Sequence, residues 1–222
     1  VLTTLDIQTH EIGEDIDILI IPAPKVDYTE AETQKISEWL TNGGKLGRDI
    51  IYVASAQQGD TPNLDALLYR YGITVEKKVI YETNSNYYTG VENYTFQTMV
   101  SENYKDDIAN EGLSLVVPNS RAISTRFDTE SGYTTCEILV SSSNGAVLKD
   151  MDNNDPNWSP EDETERNTYD SVVLGRYEAL NQDTHISSYT NVIAVGSDMM
   201  LQSTLMSDPR FNNGDFFLSL IN

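Results

Sequence analysis

The stretch that decides the fold is DILIIPAPKVDYTEAETQKISEW, residues 17–39. Its nearly continuous apolar run, residues 16–21, predicts a strand that is buried on both faces of a sheet. Two prolines then end the strand, because proline cannot donate a hydrogen bond to a neighbouring strand. Thr29 followed by Glu32 matches a capping box and predicts the start of an amphipathic helix. In α/β proteins such a junction is a common place for a ligand or a catalytic group.

Short apolar strands and amphipathic helices alternate after this junction. A strand at IIYVAS and a helix at PNLDALLYRYGI, with Asn63 as its expected cap, come next. Further strands are predicted at VEKKVIYE, LSLVVP, TTCEILVSSS, SVVLGRYEAL and NVIAVGS, and a last helix at DFFLSLIN with Asp215 as its cap. We expect one α/β domain over residues 1–222, with a mostly parallel sheet and helices on both faces. Polar stretches near 83–110 and 150–168 are expected to be irregular insertions.

Composition argues against several classes of function. The chain has 14 Lys and Arg residues against 35 Asp and Glu residues, a formal net charge of −21. Such a polyanion is repelled by nucleic-acid phosphates and by anionic membrane surfaces. No apolar run reaches the roughly 18–20 residues needed to cross a bilayer, and we see no signal peptide. The single cysteine, Cys136, cannot form an internal disulfide.

Few side chains in the sequence suit catalysis. Cys136 lies within TTCEILV, which predicts the middle of a strand, where a buried thiol is inert. The sequence has no G-x-S-x-G elbow and no glycine-rich phosphate loop, so we expect no cofactor. Its two histidines, His10 and His185, are too few for a histidine-based metal site. The alternative to a non-catalytic protein is a hydrolase or amidotransferase-like enzyme that uses Cys136 or a serine with His185.

An acidic segment, DMDNNDPNWSPE, is a weak calcium candidate. Asp150, Asp152, Asn154 and Glu161 occupy positions 1, 3, 5 and 12 of a calcium-loop template. An aspartate replaces the turn glycine that the template requires, and an acidic solvated loop is the commoner interpretation.

The tyrosine-rich segment YETNSNYYTGVENY, residues 81–94, is a candidate surface for a sugar or a peptide. Aromatic rings supply flat contact area and are enriched at interfaces. Tyrosines also fill the edges of ordinary domains, so both interpretations stay open.

Four blocks spread over most of the chain resemble GldG-like auxiliary proteins of ABC-type transport systems. Residues 15–46 are similar to the family's block of a strand, Pro-Lys, a helix and Leu-x-x-Gly-Gly-Lys-Leu. PNLDALLYRYGI resembles its Leu-x-x-Leu-Leu-x-x-Tyr-Gly-Ile helix, and LSLVVPNSRAI its central strand with a following Pro and Arg. Residues 192–222 resemble its closing block, which ends in Asn-x-Asp-Phe-Phe-Leu-Asn.

The resemblance implies a three-layer, Rossmann-like fold of the class I glutamine amidotransferase type. It also implies a domain on the extracytoplasmic side of the cell membrane, tethered by segments outside this sequence and associated with an ABC permease and ATPase. The family supplies no catalytic residues and no cofactor. We expect a partner protein, a peptide or a glycan to bind where the carboxyl ends of parallel strands meet. The residues predicted to form the rim of this crevice are Pro22, Pro24, Lys25, Ser55, Gln57, Ser197 and Asp198.

Overall fold

The computed structural model describes residues 2–88, 92–126, 134–180 and 185–221. The strands are β1 (Ile18–Pro22), β2 (Asp49–Val53), β3 (Ile73–Tyr81), β4 (Thr95–Thr98), β5 (Leu115–Pro118), β6 (Arg121–Thr125), β7 (Thr134–Ser141), β8 (Val147–Asp150), β9 (Asp170–Leu180) and β10 (Ser187–Val195). The α-helices are α1 (Glu30–Thr41), α2 (Pro62–Tyr69), α3 (Ser203–Met206) and α4 (Asn213–Ser219).

The main sheet has eight strands, in the order β1-β2-β10-β9-β6-β3-β8, with β7 also paired to β9. Among the described residues only β1 with β2 and β2 with β10 are parallel, and the other pairs are antiparallel. The fold is therefore mixed α/β, and the prediction of a mostly parallel sheet is wrong. Connection length explains the error. β9 ends at Leu180 and β10 begins at Ser187, which allows a hairpin but not the crossover of about a dozen residues that parallel neighbours need.

Central strands place alternate side chains in two separate cores. On β2, Ile50 and Tyr52 pack in one core, and Ile51 and Val53 pack in the other. The first core contains the apolar faces of α1 and α2. The second contains α4 and the two-stranded sheet formed by β4 and β5. Because successive strand residues point to opposite faces, the main sheet is covered on both sides.

Helix α1 begins as its sequence predicts. The backbone N–H of Glu32 donates to Thr29 Oγ1 at 3.3 Å, and Glu32 Oε2 accepts from the Thr29 N–H at 2.6 Å. The two bonds confirm the capping box. The Thr29 N–H and the Thr29 hydroxyl, which both donate to the Glu32 carboxylate, lower the pKa of Glu32. The helix ends at Thr41, and its C-cap, Asn42, takes a left-handed φ of 48° just before the first glycine.

Two predicted helix caps are wrong, and two strands are missing from the sequence prediction. Asn63 lies inside α2 and Asp215 lies inside the first turn of α4, where it accepts from Asn110. Strands β6 and β8 escape the sequence prediction because RAIST and VLKD are short and mix apolar with polar residues.

Gly196 sits where the connection from β5 to β6 crosses the end of β10. Its carbonyl accepts from the Arg121 N–H at 2.9 Å, and its N–H donates to the Ser171 carbonyl at 2.7 Å. A Cβ atom here would overlap the Arg121 carbonyl and the Ser120 hydroxyl. Only glycine therefore allows the two segments to approach this closely.

Gly196→Ala should lower the free energy of unfolding by about 1–3 kcal/mol, the usual cost of forcing extra volume into a packed site. Gly59→Ala is the matched control, because a Cβ on Gly59 meets no atom within 4 Å. Urea unfolding followed by circular dichroism measures both. Equal midpoints for the two variants would contradict the close approach at Gly196.

Asp170, the first residue of β9, gives the fold a pH dependence. Burial raises the pKa of its half-buried carboxyl from 3.8 to about 6. The folded chain therefore holds this proton more tightly than the unfolded chain does, so stability falls as the pH rises from about 4 to about 6.

We expect Asp170→Asn to raise the melting temperature at pH 7 and to leave it nearly unchanged at pH 4, because the amide stays neutral throughout. Thermal scans at both pH values test this, with the exposed Asp162→Asn as control. The same shift at both pH values would rule out a titrating Asp170.

Candidate functional site

The carboxyl ends of the three parallel strands lie side by side. The Ala23 N–H donates to the Val53 carbonyl at the end of β2, and the Ala54 N–H donates to the Val195 carbonyl at the end of β10, both at 2.8 Å. The three loops that carry the predicted rim residues therefore leave the sheet from one edge. This edge is the candidate functional site.

The predicted rim residues are not equally accessible. Ser197 is fully buried, and its hydroxyl donates to the Pro118 carbonyl, so it presents no group to a ligand in this structure. The other rim residues reach solvent fully or in part: Pro22, Pro24, Lys25, Ser55, Gln57 and Asp198. Their role in binding stays a prediction.

Asp27 occupies the place at this edge that suits an anionic ligand. The first N–H groups of an α-helix have no partner inside the helix and attract negative charge. One Asp27 carboxylate oxygen accepts from the Asn63 N–H at 2.8 Å, and the other accepts from the Leu64 N–H at 3.2 Å. Asp27 thus caps α2 across 36 residues of sequence. The groups that would bind a ligand phosphate or carboxylate are already satisfied by the chain itself.

Polar side chains after β2 bind one another. Gln58 Nε2 donates to the Tyr52 hydroxyl at 2.7 Å, and Gln58 Oε1 accepts from the Ser55 N–H at 3.3 Å. Thr61 Oγ1 donates to Asp65 Oδ1 at 3.2 Å. Burial raises the pKa of both Tyr52 and Asp65. The loop is therefore organised by internal hydrogen bonds.

A buried guanidinium lies on the β6 side of the edge. Arg121 is 3 % exposed, and it donates from Nε to the Glu76 carbonyl at 2.8 Å and from Nη2 to the Val75 carbonyl at 3.0 Å. The pairing of β3 with β6 shifts register between Val75 and Val79, which frees carbonyls from the ladder. Burial lowers the pKa of Arg121. Its contacts support the strands rather than reach into an open crevice.

Asp27, Gln58 and Arg121 thus shape this edge, and none of them is among the predicted site residues. The Thr61-Pro62 sequence is typical of a helix start, although the Thr61 side chain makes no capping bond. Nothing in the sequence near α2 points to an acceptor in the loop after β1.

Cys136 lies within β7, as its sequence predicts. Its Sγ is 3.5 to 3.6 Å from the carbonyl oxygens of Tyr71, Gly72 and Arg126. Burial raises its pKa, which favours the unreactive thiol over the thiolate.

His185 is remote from Cys136. Cys136 pairs with Gly175 of β9. At the far end of β9, Leu180 pairs with Ser187, which comes two residues after His185. From Gly175 to Leu180 the strand runs about 16 Å, at about 3.3 Å per residue. His185 and His10 are both exposed, and His10 lies in a turn before β1. The structure does not form the cysteine–histidine pair of the alternative hypothesis.

The four calcium candidates do not converge. Within the described ranges no three His, Cys, Asp or Glu side chains are placed to hold a metal ion. Asp150 is the last residue of β8, and its Oδ1 lies 3.8 Å from Nζ of Lys78 in β3. Glu161 accepts from Asn93 at 3.0 Å, and Asn154 donates to the Asp152 carbonyl at 3.0 Å.

The tyrosine-rich segment is partly used for packing. The Tyr81 ring contacts Tyr94 and Trp158 edge to face, with centroids 5.9 and 4.8 Å away. These contacts join the two polar insertions to each other. Tyr87 remains 45 % exposed, and residues 89–91 of the segment lie outside the described residues.

Asp27→Ala should lower the free energy of unfolding by about 1–2 kcal/mol, because α2 loses its cap and its dipole partner. Asp60→Ala is the control with a smaller expected effect, since Asp60 is exposed and forms a surface ion pair with the exposed Lys77. Sulfate at matched ionic strength should stabilise Asp27→Ala more than the wild type, because it enters the vacated place. Equal sulfate effects in thermal scans would contradict an anion position under Asp27.

Comparisons with known proteins agree with the mixed α/β fold. The structure is similar to the mmIFT52 N-terminal domain with a TM-score of 0.63 and 17 % identity, over 94 % of this chain and 76 % of that one. At this identity the likeness shows the fold alone. A search of curated proteins found no match.

In the part of the chain that the structure describes, no helix has the length and apolar character needed to span a membrane.

The family comparison is decisive. Residues 2–219 match the ABC_transp_aux family, described as ABC-type uncharacterized transport system. This confirms the resemblance found in the sequence blocks, and the chain belongs to this family of auxiliary proteins of ABC-type transport systems.

Proposed function

We propose that the chain is a non-catalytic, GldG-like domain that serves its ABC transport system by binding other proteins. Its partners are the permease and ATPase of that system, with a peptide or glycan as a possible further ligand. The observation that carries this proposal is the family match over residues 2–219. The site supports it, because Asp27 already binds the N–H groups of α2 that would hold an anionic ligand, and the loop after β2 is organised by internal hydrogen bonds.

The surroundings of Cys136 support a non-catalytic role. An acyl-transfer enzyme needs a nucleophile and a base within about 3 Å of each other. The Cys136 thiol instead faces three backbone carbonyls and has a raised pKa. We infer that the domain acts by contact.

We also infer that the parallel part of the sheet is the remnant of a Rossmann-like core of the glutamine amidotransferase type. β1, α1 and β2 form a βαβ unit, and β10 adds a third parallel strand. The antiparallel strands extend this core on its β10 side. Fold likeness of this kind argues for ancestry and does not supply an activity.

An extracytoplasmic position at the cell membrane completes the proposal. The net charge of −21 repels the domain from anionic membrane surfaces, so attachment runs through segments outside this sequence. Contact with the permease is then direct, and contact with the ATPase passes through the permease.

Affinity purification from the native host tests this assignment. The protein is expressed with its natural flanking sequence, tagged and extracted in mild detergent. The permease and the ATPase should co-elute with it in a fixed ratio, whereas an unrelated membrane protein of similar abundance should not. Their absence from the eluate would overturn the proposal.

The same cells report the side of the membrane. Cys136→Ser removes the only cysteine of this sequence, and Ser203→Cys places a new one on the exposed start of α3. A membrane-impermeant maleimide should label this variant in intact cells. Labelling that requires lysis would place the domain inside the cell and contradict the extracytoplasmic assignment.

A further inference from the structure

Strand β1 is the outermost strand of the sheet, and among the described residues it pairs with β2 alone, so its outer side is a free edge. In a parallel pair, alternate residues turn their backbone N–H and C=O groups toward the neighbouring strand. The Asp17 carbonyl accepts from β2, and the Ala23 N–H donates to β2. The odd-numbered residues of β1 therefore face β2, and Ile18 and Ile20 turn their N–H and C=O groups outward. No described residue forms a hydrogen bond with these outward groups.

This edge has little protection against pairing with another chain. Folded proteins usually shield an edge with charges, bulges or very short strands. β1 instead presents four uncharged branched residues, positions 18–21, that pair with β2 without a register shift. Its one shielding residue is Pro22, which has no N–H at an outward position. The opposite edge, β8, carries Lys149 and Asp150 among its four residues.

The side chains of β1 leave apolar surface beside this edge. Ile18 and Ile20 are half-buried against one core, and Leu19 is half-buried against the other. An added strand would cover the exposed parts of these side chains on both faces of the sheet. The occupant must therefore be extended and apolar on both faces.

The charges around the edge indicate which chain fits. Glu14, Asp15 and Asp17 are exposed just before β1, and the first Lys or Arg of the sequence is Lys25. A second copy of this chain also carries a net charge of −21, so the two copies repel each other. The complementary occupant is a different chain with Lys or Arg beside its apolar run.

We propose that β1 is the docking edge for an extended apolar segment of a partner protein, which adds to the sheet as a strand and places basic residues beside Glu14, Asp15 and Asp17. The proposal rests on the proposed role in protein binding and names its surface and the chemistry of the partner.

Residue-resolved amide exchange on the wild-type chain tests the edge directly. The probe is a synthetic peptide with two lysines before the run Val-Ile-Val-Thr-Val. In the free chain the amides of Ile18 and Ile20 should exchange rapidly, and those of Leu19 and Ile21 slowly. The peptide should slow exchange at Ile18 and Ile20 by tenfold or more. Binding without this alternating protection would overturn the proposal.

Two proline variants at neighbouring positions provide a matched pair. Ile20→Pro removes an outward N–H and should weaken peptide binding at least tenfold while the chain stays folded. Leu19→Pro removes an N–H that bonds to β2 and should lower the melting temperature. Unchanged peptide affinity in Ile20→Pro would overturn the proposal that the peptide docks on β1. If Ile20→Pro does not fold, the exchange pattern of the wild type decides.

The choice of partner has its own controls. A peptide with glutamates in place of the lysines should bind at least tenfold more weakly at low salt, and equal binding would contradict the basic flank. Sedimentation that shows self-association lost in Ile20→Pro would assign the edge to a second copy and overturn the proposed occupant. If the transport subunits co-purify equally with the wild type and with Ile20→Pro, β1 is not their docking edge, and the proposed function still stands. If they do not co-purify with the wild type, the proposed function fails, and the peptide experiment still decides the edge.

Discussion

The bond between Asp27 and the N-terminus of α2 organises the parallel part of this molecule. The leading N–H groups of a helix need acceptors, and neither Thr61 nor Pro62 supplies one from its side chain. Asp27 reaches them from the loop that follows β1 and so ties the first strand–helix unit to the second. The same bond fills the position where a related α/β architecture would receive a phosphate or a carboxylate. One carboxylate therefore both stabilises the fold and occupies the anion position.

Separate contacts hold the rest of this edge. The Gln58 side chain ties the loop after β2 to the Tyr52 hydroxyl, and Gly196 lets the end of β10 pack against Ser120 and Arg121. Cys136 lies in β7, where its thiol faces three backbone carbonyls. The occupied anion position and the free strand edge of β1 are the two features on which the proposed role in protein binding rests.

Features set by neighbouring residues are readable from the sequence, and features set across the chain are not. The capping box of Thr29 and Glu32 is correct because its bonds span three residues. The role of Asp27 is not predicted because its two partners lie 36 and 37 residues away and leave no local pattern. The antiparallel majority of the sheet depends on pairings between distant strands, and an apolar run alone does not report its direction. The family resemblance succeeds because it draws on four blocks in a shared order rather than on any single one.

The central claim is that the chain's own carboxylate occupies the anion position at the parallel edge. A titration of the isotope-labelled wild-type chain with inorganic phosphate, followed through the amide resonances of Asn63 and Leu64, tests it most directly. Occupancy by Asp27 predicts no saturable shift at these two amides, and a saturable shift in Asp27→Ala. A saturable shift in the wild type would show that the position is open to ligands and would contradict the account.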